Sequence, residues 1–158
     1  MPGSMTTSGT EETSRQLSKL GEECERIAAR GLYEGAAVVA DAYKAAVEQI
    51  KTAPRRHKEG DVRLPTPEEK AALKNATGIA RFRGSGGEID TIIGEPEGYG
   101  MVKGRRKALK LLARSINSGT NFMSRQPVFR KASSQSRAKA QQAMAAEVDR
   151  QINEIMNS

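Results

Sequence analysis

Apolar residues recur at mostly three- and four-residue spacing from about Ser14 to Lys51, at Leu17, Leu20, Cys24, Ile27, Leu32, Val39, Tyr43, Val47 and Ile50. That period predicts one long helix, about 57 Å if unbroken. Gly31 and Gly35 are the expected places for a bend, and Pro54 ends the run. A charged loop follows over 54–66. "TPEEKAALKNA" then predicts a short surface helix, with Thr66 as N-cap, Pro67 in the first turn and Glu69 at the capping-box position.

The period then changes. In "GIARFR", Ile79, Arg81 and Arg83 alternate with Ala80 and Phe82, and "EIDTIIG" follows "GSGG". Two short β-rich runs across a Gly-rich turn predict a β-hairpin. A phosphate-cradling reading of "GSGGE" fails here, because that motif needs a strand, loop and helix rather than strand after strand. "EPEGYGMVKG" reads as a loop with a short extended segment. "RRKALKLLARSIN" reads as an amphipathic helix with Leu109, Leu112 and Ile116 on one stripe. After Pro127 a last helix runs to about Met156, with Met144, Val148, Ile152 and Ile155 as its buried stripe and a solvent-facing first half. The expected class is α+β: a long N-terminal helix, a small antiparallel sheet with a β-hairpin, and two C-terminal helices packed on it.

Between the last two helices lies "SGTNFMSRQPVFRKA". Gly119 permits positive φ, Thr120 follows it, and Pro127 pre-sets the entry to the final helix. Phe122, Met123, Val128 and Phe129 offer apolar anchors, with Gln126 before the proline. This is a structural elbow: Gly119, Thr120, Met123, Gln126, Pro127 and Phe129 fix the direction of the chain.

Composition changes the picture in two ways. Of the 37% apolar content much is Ala, with 21 residues, whereas Leu, Ile, Val and Phe number 27 of 158. That is below the roughly 20% of an ordinary domain, so partner subunits are expected to complete its burial. Charge is also divided. Residues 1–100 carry 14 Lys+Arg and 16 Asp+Glu, net −2, and residues 101–158 carry 12 and 3, net +9. A basic half suits nucleic acid or docking onto an acidic protein surface.

Candidate chemistry is sparse. Cys24 and His57 are the sole residues of their types; a buried or half-buried structural Cys is expected in a reducing compartment. No spacing suggests a metal set or a nucleophile–base pair, so no enzyme, metal or cofactor is expected. No apolar run approaches the about 20 residues that cross a bilayer, and "MPGS" before Met5 reads as a tag remnant. Residues 1–13 are expected to be a poorly ordered terminus, and 14–158 a single domain.

The helix ending in "SGT", the Met, the "QP" followed by an aromatic, and the long C-terminal helix resemble the tail-completion family of long-tailed bacteriophages. That family of tail components includes head-to-tail joining and tail-terminator proteins. The likeness extends upstream to the long first helix ending near "APRR" and to "ARFRGSGGEIDTIIG", though the family's "AP.RTG.L" reads here "APRRHKEGDVRLPT". The resemblance implies a structural virion protein, made in the host bacterial cytoplasm and sited where tail meets head. It would form a ring, typically a hexamer, at the top of the tail tube. Its partners would be itself, the tail tube protein and head-closure or connector proteins, with non-specific contact to DNA in the ring and no membrane. Expected partner-binding residues are Arg55 and Arg56 in the loop, Arg83, Gly84 and Gly87 at the hairpin, and Arg105, Arg106 and Lys107 on the basic helix. The alternative is a basic nucleic-acid-binding protein using Lys103, Arg105, Arg106, Lys107, Lys110 and Arg114. That run lacks aromatics for stacking and has no helix-turn-helix pattern.

Overall fold

A computed structural model describes residues 8–54, 62–85 and 88–158. Among them the α+β class holds: α1 (Ser8–Glu48), α2 (Pro67–Ala76), six short strands, α3 (Leu109–Ser118) and α4 (Val128–Met156). The strands are β1 (Gly78–Ile79), β2 (Arg83–Ser85), β3 (Glu88–Asp90), β4 (Ile93–Gly94), β5 (Tyr99–Val102) and β6 (Arg105–Ala108). Residues 8–13, assigned by sequence to a poorly ordered terminus, belong to α1.

The molecule is organised by α1 and α4, which lie antiparallel. Gln16 donates to the Met156 carbonyl at 2.9 Å, and Tyr43 meets the Phe129 ring edge-on at 5.6 Å. Gly31 and Gly35 do not break α1. They let α4 approach: a Cβ on Gly31 would sit 2.8 Å from Val148 Cγ2, and one on Gly35 would strike the Met144 side chain. The first half of α4 is mostly solvent-facing, as expected, but lays one stripe inward, burying Ala132, Ser136 and Ala140. Small residues on both helices substitute close backbone approach for bulky packing, which is how so Ala-rich a chain forms a seam. Ile155 is buried at the far end, with Met144, Val148 and Ile152 half-buried.

At the other end of α1 the main core gathers Val47, Ile50, Leu73, Leu109, Leu112, Ile116, Met123 and Phe129. The Leu109–Leu112–Ile116 stripe of α3 faces inward as its period predicts. Cys24, expected to be at least half-buried, is exposed on α1, because α4 covers the adjoining stripe through Leu20 and Ile27 instead.

The predicted hairpin is present in two antiparallel segments. β1 pairs β4 (Ile79 with Ile93) and β2 pairs β3 (Arg83 with Asp90). The register shifts by one residue between them, so an extra residue on the first strand forms a bulge. A second antiparallel hairpin joins β5 and β6, pairing Tyr99 with Ala108 and Met101 with Arg106. Its loop is Lys103–Gly104, at φ 49° and 75°, the positive-φ pair that matches strand twist. The segment Arg105–Ala108, read from sequence as the start of a helix, is therefore a strand.

Candidate docking surface

The α2 helix starts as its sequence dictates. Thr66 Oγ1 accepts from the Glu69 amide at 3.2 Å, and Glu69 Oε2 accepts from the Thr66 amide at 2.9 Å. Glu69 is not a surface residue, however: it is 3% exposed. Arg63 donates to both of its oxygens, at 2.8 and 3.2 Å, and Lys107 pairs with Oε1. Burial alone would raise the Glu69 pKa, but Arg63, Lys107 and the Thr66 amide outweigh it and hold the carboxyl at about 2. A neighbouring pair, Lys103 with Glu68 at 3.1 Å, ties the hairpin turn to the same helix end. The hairpin is thus clamped to α2 by two ion pairs.

What the clamp leaves outward is the candidate surface. Tyr99 and Met101 share one face of β5, 51% and 62% exposed, with Arg106 beside them from β6. The Arg106 guanidinium lies 4.5 Å from the Tyr99 ring centre, a cation–π contact. Arg105 is exposed at the turn, and neither arginine forms an ion pair among the described residues. Between hairpin and α2 lies an open cleft of about 470 Å³, lined by Thr66, Glu69, Val102, Lys103, Arg105, Arg106 and Lys107.

No protein-family model, curated protein or solved structure matches the chain.

The expected site residues separate into groups. Arg105 and Arg106 are both exposed, but on a strand, not a helix, and point to opposite faces, Arg106 with Met101 and Arg105 with Val102. Lys107 turns inward to Glu69, so it is a clamp and not a free docking charge. Of the wider basic run only Lys110 and Arg114 lie on a helix. Arg83 and Gly84 are exposed on β2, away from this surface in sequence and sheet. Arg55, Arg56 and Gly87 lie outside the described residues. Tyr99 and Met101 escaped the sequence reading; their signal was the two-residue alternation in "YGMV" ahead of a Lys-Gly turn.

The elbow holds together as a joint. Gly119 has φ 76° and ψ 160°, a region essentially restricted to glycine. Thr120 Oγ1 accepts from the Met123 amide at 3.0 Å. Gln126 brackets the backbone of Lys51, accepting from its amide at 2.8 Å and donating to its carbonyl at 3.1 Å. Met123 and Phe129 are buried and Pro127 occupies the N-cap position of α4, without a side-chain cap bond. Phe122 is not an anchor: it is 75% exposed. A short parallel bridge, Arg63 with Met123, fixes this strip to the loop before α2.

Proposed function

We propose that this chain is a non-catalytic structural virion protein that completes a long-tailed phage tail and joins it to the head, acting as one subunit of a ring on the tail tube. The observation that carries the reading is the clamped β5–β6 hairpin. Its inner face is fastened by Glu69 and Glu68, while Tyr99, Met101 and Arg106 are presented outward and Arg105 is exposed at the turn. Aromatic, Met and Arg side chains on a rigid support are what protein interfaces use as anchors. The order of elements, long helix, hairpin, helix, elbow and long helix, supports the same reading. Such a protein limits tube growth. Tail tubes polymerised with it should be uniform in length and capped in electron micrographs, and uncapped tubes of unlimited length in its presence would count against the proposal.

One observation favours the second reading, a basic nucleic-acid-binding protein. The Arg106–Tyr99 pair supplies an aromatic platform that the sequence did not reveal. That reading predicts single-strand binding that Tyr99→Ala weakens. Binding indifferent to that change would remove its support.

A further inference from the structure

We infer that the first four turns of α4 seat in the major groove of duplex DNA; this goes beyond the tail-assembly reading and does not depend on it. From Gly98 to Ala146 the sequence holds 11 Lys and Arg and not one Asp or Glu. Lys103 and Lys107 are taken up by Glu68 and Glu69. On α4, Arg130, Lys131, Arg137 and Lys139 are all exposed. None of the four forms an ion pair among the described residues.

Their placement around the helix selects the partner. Ala132, Ser136 and Ala140 mark the buried side. At 3.6 residues per turn the opposite side is centred on exposed Ser134, Ala138, Gln141 and Ala145, each within about 40° of the outward axis. Arg130 and Arg137 lie about 60° and 80° to one side of that axis, and Lys131 and Lys139 about 40° and 120° to the other. A small, uncharged ridge thus runs between cations on both flanks. Protein interfaces centre on apolar and aromatic bulk. This ridge has none: from Arg130 to Ala146 every exposed residue is Ala, Ser, Gln, Arg or Lys. Binding there must come from charge and hydrogen bonds.

The B-form major groove, about 12 Å wide, admits one helix with phosphates along both walls. Arg130 and Arg137 suit one wall, and Lys131 and Lys139 the other. The small side chains let the helix approach the base edges, and Gln141 carries an amide that can pair with adenine N6 and N7. The stretch from Arg130 to Ala145 runs about 24 Å, within the roughly 34 Å of one DNA turn. The footprint ends where acids return: Asp149 is exposed, and Glu147 and Glu154 share Arg150. The major groove of A-form RNA is too deep and narrow to be read this way, so the surface should discriminate against duplex RNA.

Fluorescence anisotropy of the full chain with a labelled DNA duplex, titrated across salt, tests the inference. Replacing Arg130, Lys131, Arg137 and Lys139 with Gln should weaken binding about tenfold or more at low salt. It should also reduce the salt slope by roughly three to four, since each phosphate contact contributes about 0.9. The charge-keeping exchange, Arg130→Lys, Lys131→Arg, Arg137→Lys and Lys139→Arg, should retain most of the affinity. Arg105→Gln with Arg106→Gln on the hairpin should change it by less than about twofold. Duplex RNA of the same sequence should bind about tenfold more weakly or worse. Circular dichroism melts confirm that each variant is folded. Undiminished binding by the Gln variant, or an equal loss from the hairpin variant, would overturn the assignment to α4. A charge-keeping variant as weak as the Gln one would deny that these charges carry the contact. Equal affinity for duplex RNA would overturn seating in the major groove. Absence of DNA binding at low salt would overturn the inference, and an acidic polypeptide captured in its place would assign the face to a protein.

Discussion

The Glu69 carboxylate of α2 pairs with the Lys107 ammonium of β6 across 38 positions of sequence, and Arg63 closes the other side of the same carboxylate. This triad joins the loop before α2, the helix itself and the β5–β6 hairpin. Its pH dependence follows from the depressed Glu69 pKa. A carboxyl at about 2 when folded and 4.5 when unfolded adds stability that is complete above 4.5 and is lost as pH falls from there through about 2. Glu69→Gln should therefore cost about 3 kcal/mol at neutral pH and flatten the acid limb of the stability curve. Urea melts at pH 7 and pH 3 check both; equal losses at the two values would contradict the triad's role.

Arg105 and Arg106 should separate from Lys107 on substitution. Arg105→Glu with Arg106→Glu is expected to leave the melting temperature of the monomer nearly unchanged, since both side chains are exposed. Adding Lys107→Glu places a carboxylate against buried Glu69 and should lower stability by roughly 3 kcal/mol or more. Thermal melts of the double and triple variants decide it. A triple variant as stable as the double would deny the clamp.

Three glycines of α1 should respond differently to Ala. Gly31→Ala meets Val148 Cγ2 and the Met144 carbonyl and should destabilise by roughly 1–2 kcal/mol despite better helix propensity. Gly35→Ala meets first the flexible Met144 side chain and should cost less. Gly21→Ala meets nothing and should stabilise by up to about 1 kcal/mol. Denaturant midpoints of the three should rank Gly21→Ala highest and Gly31→Ala lowest.

The elbow prediction concerns Gln126. Gln126→Glu keeps an acceptor for the Lys51 amide but turns the other oxygen against the Lys51 carbonyl. A loss of about 1–2 kcal/mol is expected. Gln126→Ala, which loses both bonds without the repulsion, should cost about 1 kcal/mol. Reversal of that order by urea titration would show that the bracket contributes little.

The long elements were legible because their signals are periodic. The α3 stripe and the caps of α2 could be read position by position. The same helical period misled at Arg105–Ala108, where "KALKLL" extends a helix-like pattern backward over residues that a two-residue turn at Lys103–Gly104 commits to a strand. Lys103 takes a left-handed conformation unusual for its type, so nothing in its identity announced the turn. Gly31 and Gly35 looked like breaks because a sequence shows lost propensity, not the partner helix that exploits the missing Cβ. The same holds at the site. Arg105 and Arg106 were visible as charge, but Lys107's inward turn depends on Glu69, and Tyr99 joined the surface only when β5 paired with β6.

The most direct test of the ring proposal is the solution mass by light scattering, at low and high salt, with and without purified tail tubes. A ring that assembles on tubes and weakens as salt screens the Arg105 and Arg106 charges is the predicted result. A stable monomer that ignores tubes at every salt concentration, yet shifts DNA at low salt, would contradict it.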